Sequence, residues 1–203
     1  MRFANPRQTL WARLSNGFLT SEHGTAGVEL ALILPPALIM LALAAMAGEG
    51  FEIQRKALLA ARTVTDLVSQ APYVPDANLS GGTVLNYSDL YTDMGLSTEI
   101  MWPDSTSSLQ VVVSELSVNA ANNTGTVVWS YSYPTGTPTL PLNMVISLSP
   151  SLVSAGAAYL IYGQVQYTFQ PLNIYQSVGA ITLNEADTLV PRNAASIEIN
   201  PNQ

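Results

Sequence analysis

Glu29 is the residue near the N-terminus whose type and position ask for chemistry. It stands at the lip of a run, residues 30–47, that carries no charge over 18 positions. That length is the lower end of what crosses a bilayer. A carboxylate is costly in lipid, and one that persists there marks a partner or a function. Elsewhere the chemical inventory is thin. His23, the only histidine, precedes the apolar run, so a Ser-His-Asp triad would have to reach across the membrane. Residues 72–203 contain neither His nor Cys, which removes the usual zinc ligands. Asp89, Asp93, Asp104, Glu185 and Asp187 offer oxygens of the kind calcium takes, but not at the dense spacing of an EF-hand loop. A solvated acidic surface is the simpler reading. No Gly-rich phosphate loop is present, and the Asn-x-Ser/Thr matches at Asn78, Asn86 and Asn122 are short enough to arise by chance. The expectation is no catalytic residue, no cofactor and no metal: a chain that is not an enzyme.

The elements that position Glu29 follow from composition and charge. Of 203 residues, 48% are hydrophobic and only 10% charged, enough apolar material for an anchor and a packed core. Residues 1–24 hold Arg2, Arg7 and Arg13 against Glu22, whereas residues 25–203 hold four basic residues against thirteen acidic ones. Short basic flanks stay in the cytoplasm, so the N-terminus is expected inside and the acidic body outside. An acidic body also argues against nucleic acid as a partner. The absence of cysteine permits an oxidising compartment without requiring one. In the leader, Leu10, Trp11, Leu14 and Phe18 have helix-like spacing, which suits either a short interfacial helix or a flexible tail.

Pro35 and Pro36 lie inside the apolar run. Each lacks a backbone donor, and Pro36 disfavours helical angles at Pro35, so a kink or local break is expected there. Ala37, Ala42, Ala44, Ala45, Ala47 and Gly48 then supply small residues of the kind that let membrane helices approach closely. From Glu49 the chain turns amphipathic. Phe51, Leu58, Ala61, Thr65 and Val68 make an apolar stripe widened by Ala57, Val64 and Leu67, and Glu52 and Lys56 form an i, i+4 pair. Pro72 stops the helix by Ala71.

Two fates are open for this segment. In one, residues 30–44 are the core of a secretory signal peptide, and Ala45, Met46 and Ala47 precede the cut. The long region before the core, and Glu29 against it, count against that fate. In the other, cleavage falls earlier and the helix stays on the mature protein. Gly24 followed by four residues and Glu29 resembles the processing site of type IV prepilins. The wider run Gly24-Thr25-Ala26-Gly27-Val28-Glu29-Leu30-Ala31-Leu32-Ile33-Leu34-Pro35 resembles the opening of the TadE/TadG-like family of tight-adherence (type IVb/Flp) pilus pseudopilins. The resemblance implies that a prepilin peptidase cuts after Gly24, leaving Thr25 as the new N-terminus and Glu29 as the fifth mature residue. The ammonium on Thr25 and the Glu29 carboxylate would then lie one helical turn apart on one face. Such a pair, within a chain or between neighbours, counts for more in low dielectric than in water, and desolvation opposes it.

The resemblance is dense over 24–70, including Gln54 to Arg62, and patchy over 109–193. There it touches the run from Gly163 to Pro171, the run from Ala180 to Leu183, and Leu189 to Arg192. A glutamate is expected in the family where Gln164 stands, which is a departure.

Residues 72–82 read as a linker rich in Pro, Gly, Asn and Ser. Ser88 to Met94 reads as a short helix capped by Ser88 and ended by Gly95. Strands are expected over 109–118 and 126–133, joined at Asn122 to Gly125, then over 157–169, 180–183 and 196–199. Of the aromatics Trp102, Trp129, Tyr131, Tyr133, Tyr159 and Tyr162, about half are expected in the core and the rest on an adhesive or subunit-contact surface. The fold class is α+β: a long N-terminal transmembrane and stem helix, then a mainly antiparallel β-sheet domain packed on the stem. The expected division is a cytoplasmic leader (1–24), a transmembrane and stem helix (25–71) and an extracytoplasmic β-rich domain (72–203).

The function expected is that of a minor pilin or pseudopilin in pilus initiation, assembly or tip adhesion. Its partners would be prepilin peptidase, other pilins or pseudopilins, and the bacterial inner membrane with its pilus assembly platform. The alternative is a secreted or periplasmic β-rich binding protein released by signal peptidase.

Overall fold

The computed structural model describes residues 22–72, 83–104, 106–154, 156–169 and 179–200. Most of the expected leader and linker, and Pro171, lie outside the described residues. The chain divides into two compact units, Met1–Gly48 and Glu49–Gln203. The second unit takes up the outer part of the stem that the sequence reading assigned to a separate helical segment.

One helix, α1 (Glu22–Ser69), passes from the first unit into the second. In the first unit, Val28 to Leu43 expose their large apolar side chains to at least 46%. The helical run carries on through Pro35 and Pro36, so the expected local break is absent. Two prolines delete only the hydrogen bonds to the carbonyls of residues 31 and 32, and intact turns on both sides carry the helix across. The helix is long and apolar enough to cross a membrane.

In the second unit α1 is a core element. Ile53, Ala57, Ala60, Ala61, Val64, Thr65, Val68 and Ser69 are buried. Ala57, Ala61, Val64, Thr65 and Val68 of the expected stripe are buried; Phe51 is 67% exposed, and Ile53, Ala60 and Ser69 are buried in addition. Thr65 donates to the Ala61 carbonyl at 2.7 Å, the local bond that lets a hydroxyl sit in an apolar helix face. The end of α1 is held by the segment after the last long strand. Arg192 N–H donates to Ser69 O at 2.8 Å, Asn193 Nδ2 donates to Gln70 O at 2.9 Å, and the Arg192 guanidinium pairs with Asp66. The Arg192 N–H and the Asn193 amide satisfy carbonyls that a helix terminus leaves without intrahelical partners.

β1 (Thr83–Asn86) leads directly into α2 (Tyr87–Met101). α2 is longer than the sequence pattern suggested. It begins one residue before Ser88, with Asn86 at its cap position, and runs through Gly95. Gly95 does not end the helix because it lies under the Tyr133 ring, which stands 3.6 Å from where a Cβ would be. Leu90, Met94, Ser97 and Met101 bury one face of α2, and Pro103 follows its end.

A short 3-10 turn (Thr106–Ser108) then opens the main sheet. Its strands are β2 (Leu109–Asn119), β3 (Thr124–Tyr133), β4 (Val145–Ser147), β5 (Tyr159–Phe169) and β6 (Ile181–Leu189). A single turn of helix, α3 (Pro150–Val153), lies between β4 and β5. The order across the sheet is β4-β3-β2-β5-β6, every pair antiparallel. The β2–β3 hairpin forms as expected, with Asn123 at φ 52° in its turn. β6 is much longer than the stretch 180–183. The last strand, β7 (Ile197–Asn200), does not join this sheet but pairs in parallel with β1.

Register assigns each strand residue a face. Leu109, Val111, Val113 and Glu115 of β2 share a face with Tyr133, Tyr131 and Trp129 of β3 and with Ile161, Gly163, Val165 and Tyr167 of β5. This face packs on α1, α2 and β7 in one core. The opposite face carries a smaller core of Leu116, Val127, Leu148, Val153 and Leu160. The β2–β3 register shifts after Glu115, where Val128 of β3 is left without a partner. The fold is α+β, a long apolar N-terminal helix followed by a five-stranded antiparallel sheet.

Candidate functional site

Gly24 and Thr25 fall in the first turns of α1, and their side chains lie outside the described residues. Glu29 follows four residues after Thr25 on the same helix, where a 3.6-residue period returns it to the same face. Its side chain is exposed, and among the described residues it has no hydrogen-bond or ionic partner. Pro35 and Pro36 lie about two turns further along. The residues singled out from the sequence thus share one helical segment.

The acidic residues of the second unit are dispersed. Asp104 accepts from Lys56 Nζ at 2.7 Å, with Glu52 also on that ammonium at 3.2 Å. The Asp104 hydrogen bond holds the Lys56 pKa above its ordinary value, against burial. Lys56 also reaches the Trp102 carbonyl at 3.4 Å, so one ammonium ties the turn after α2 to the stem. Glu185 accepts from Gln54 Nε2 at 3.0 Å. Burial, with the neighbouring Asp89, pushes the Asp93 carboxyl up. Among the described residues no three His, Cys, Asp or Glu come together as a metal site would need.

Of the six aromatics, Trp129 is buried, and Tyr131 and Tyr133 pack on the main core. Tyr162 packs on the smaller core. Tyr131 and Tyr133 meet Tyr87 and Tyr91 of α2 at centroid distances of 5.3 and 4.8 Å. Tyr159 is half-buried, and Trp102 is 74% exposed.

Sequence reasoning passed over Glu115. It is 1% exposed, on the core face of the central strand. Its Oε1 accepts from Ile197 N–H at 2.7 Å, and the indole of Trp129, its cross-strand neighbour, donates to Ile197 O at 2.6 Å. Two side chains from adjacent strands thereby hold both main-chain groups of one β7 residue. Burial pushes the Glu115 carboxyl from 4.5 up to about 7. The Ile197 N–H and the Trp129 indole work against that rise, and the charge of Glu198 adds to it. The signal was in the sequence: a glutamate in phase with Val111 and Val113.

Among the described residues the geometry defines one membrane-competent helix, whose outer end is built into an α+β globular unit. No protein-family model, no curated protein and no solved structure matches the chain.

Proposed function

We propose that this protein is a minor pilin or pseudopilin of a tight-adherence pilus, similar to the TadE/TadG-like family, with a structural role in initiation, assembly or tip adhesion. One observation carries the reading. A single helix is bare and apolar from Val28 to Leu43, yet from Ile53 to Ser69 it is the core of the sheet domain. A helix committed in this way can hand its bare segment from lipid to neighbouring subunits while its outer turns keep the domain attached. In this reading prepilin peptidase cuts after Gly24, and Glu29 answers the Thr25 ammonium of its own chain or of an adjacent subunit. The arginines of the leader keep the N-terminus inside the bacterial inner membrane, and the sheet domain lies outside. The other partners are further pilins and the assembly platform.

A second reading has its own observation. The division between units falls at Gly48, next to the Ala47–Gly48 junction where a signal peptidase would cut. Cleavage there would release a β-rich unit with the buried outer stem still in it.

N-terminal sequencing of the mature protein from its native host decides between them. Thr25 supports the pilin reading. Gly48 replaces it with the secreted protein, and Met1 leaves an unprocessed anchor.

A further inference from the structure

The sheet face turned away from the stem is chemically unlike the rest of the chain. Every carboxylate on the five strands, Glu115, Glu185 and Asp187, lies on the stem face by register. The opposite face bears Gln110, Val112 and Ser114 of β2, Ser130 and Ser132 of β3, Tyr162, Gln164, Gln166 and Thr168 of β5, and Thr182, Asn184, Ala186 and Thr188 of β6. None of these carries a charge, in a protein of net charge −7. One end of this face is covered by the smaller core around Leu148 and Val153. Among the described residues the other end is uncovered.

At the open end a cleft of about 210 Å³ is lined by Gln110, Val112, Gln164 and Gln166, with Pro138, Thr139 and Leu140 as its wall. The wall is fixed in place. Ser114 Oγ donates to Ser130 Oγ at 2.8 Å, Ser130 Oγ accepts from Leu140 N–H at 3.0 Å, and Ser132 Oγ donates to Thr137 O at 2.9 Å. The floor is the reverse. Gln110 lies directly across from Gln166, with Gln164 two residues along β5. None of these three half-buried amides has a hydrogen-bond partner among the described residues.

We propose that this cleft binds a neutral glycan, one sugar ring at a time. Each glutamine amide presents two donors and an acceptor, so three of them can match hydroxyls that also both give and accept. Val112, Pro138 and Leu140 offer apolar surface to the C–H face of a ring. The absence of charge disfavours an ionic ligand, which would lose hydration here without a counter-charge. The volume falls below the ~300–1,000 Å³ of pockets that enclose a drug-sized ligand, so it suits one unit of a longer polymer. Hydrogen bonds exchanged with water are individually weak, so the affinity is millimolar. The proposal does not depend on how the N-terminus is processed.

The test uses the full chain in lipid nanodiscs, free of glycoside detergents, and saturation-transfer NMR. The probes are maltohexaose, cellohexaose, mannohexaose and N-acetylglucosamine hexamer, with hexagalacturonate as the charged control. At least one neutral hexamer is expected to receive saturation and the galacturonate none. Gln164→Ala/Gln166→Ala is expected to weaken binding about tenfold or more. Thr139→Lys, which puts a bulky charge at the exposed rim, should weaken it without touching the floor. Unchanged circular dichroism shows that both variants fold. Three results would overturn the proposal: no neutral hexamer binding, binding undiminished in both variants, or self-association of the chain that these variants abolish in the absence of glycan binding. The last would make the face a contact between copies.

Discussion

A Cβ built on Gly163 would stand 2.0 Å from Thr65 Oγ1, and 3.4 Å from the Ala61 carbonyl. Strand β5 therefore meets α1 backbone to backbone at this point. The small residues Ala57, Ala60 and Ala61 on the helix, and glycine on the strand, set that distance together. Gly163→Ala forces the stem off the sheet. It should lower the unfolding free energy by about 1–3 kcal/mol, the usual cost of overpacking. Thr65→Ala removes the colliding oxygen, so the double variant should recover most of the loss. Chemical denaturation of the four proteins of this cycle measures it, and a double variant as unstable as Gly163→Ala would show that the contact does not limit packing.

Glu115 makes stability depend on pH. Its folded value near 7 is above its ordinary 4.5, so the fold favours the protonated form. The stabilisation is complete below about 4.5, declines as the unfolded chain ionises, and is lost once pH has risen through about 7. The span amounts to roughly 3 kcal/mol by linkage. Glu115→Gln keeps an acceptor for Ile197 N–H and cannot ionise. The variant should gain on the wild type between pH 5 and 8, with that part of the slope gone. Denaturation midpoints across that range check it, and parallel profiles would contradict it.

Lys56 fastens the turn at Trp102 and Asp104 to α1. Its raised pKa means the pairing stabilises the fold through neutral pH, and that contribution fades as pH climbs beyond the ordinary lysine value of 10.5. Lys56→Met should cost about 1 kcal/mol, the scale of a partly exposed ion pair. It should also speed hydrogen exchange at Asp104 N–H, which donates to Met101 O at 2.9 Å. Unaltered exchange there would mean that the turn is held by other contacts.

Glu29→Ala tests the proposed assembly role. Processing after Gly24 should persist, because the bond cut lies a turn away. Surface filaments, counted by electron microscopy in the native host, should fall sharply. Wild-type filament numbers with correctly processed protein would remove the carboxylate from assembly.

Much of this architecture is written locally. α1 is announced by an uncharged run followed by an amphipathic one, and β2, β3 and β5 by dense β-branched and aromatic residues. What escaped depends on partners far along the chain. The later part of β6, residues 184–189, looks like a loop because it holds Glu185 and Asp187, whose acidic side chains lie on the edge strand over the stem, where Gln54 meets the first of them. The strand at 196–199 is expected, but its parallel pairing with the four-residue β1, across most of the domain, is something no short-range pattern encodes. Gly95 reads as a stop until Tyr133 is placed above it. Phe51 sits on the expected stripe yet faces solvent, and Ile53 is buried instead. Gly24, Thr25 and Glu29 are singled out by spacing alone, and the glutamine cleft by nothing in the sequence, since it is assembled by strand register.

The stem's buried stripe, Ile53 to Ser69, is made long before its cover. The strands that shield it run from Leu109 to Phe169, so a growing chain displays a naked greasy ridge until β5 arrives. Contacts separated this far along a chain go with slow folding. Until then the ridge is a surface that a holdase, or a sister chain, can seize.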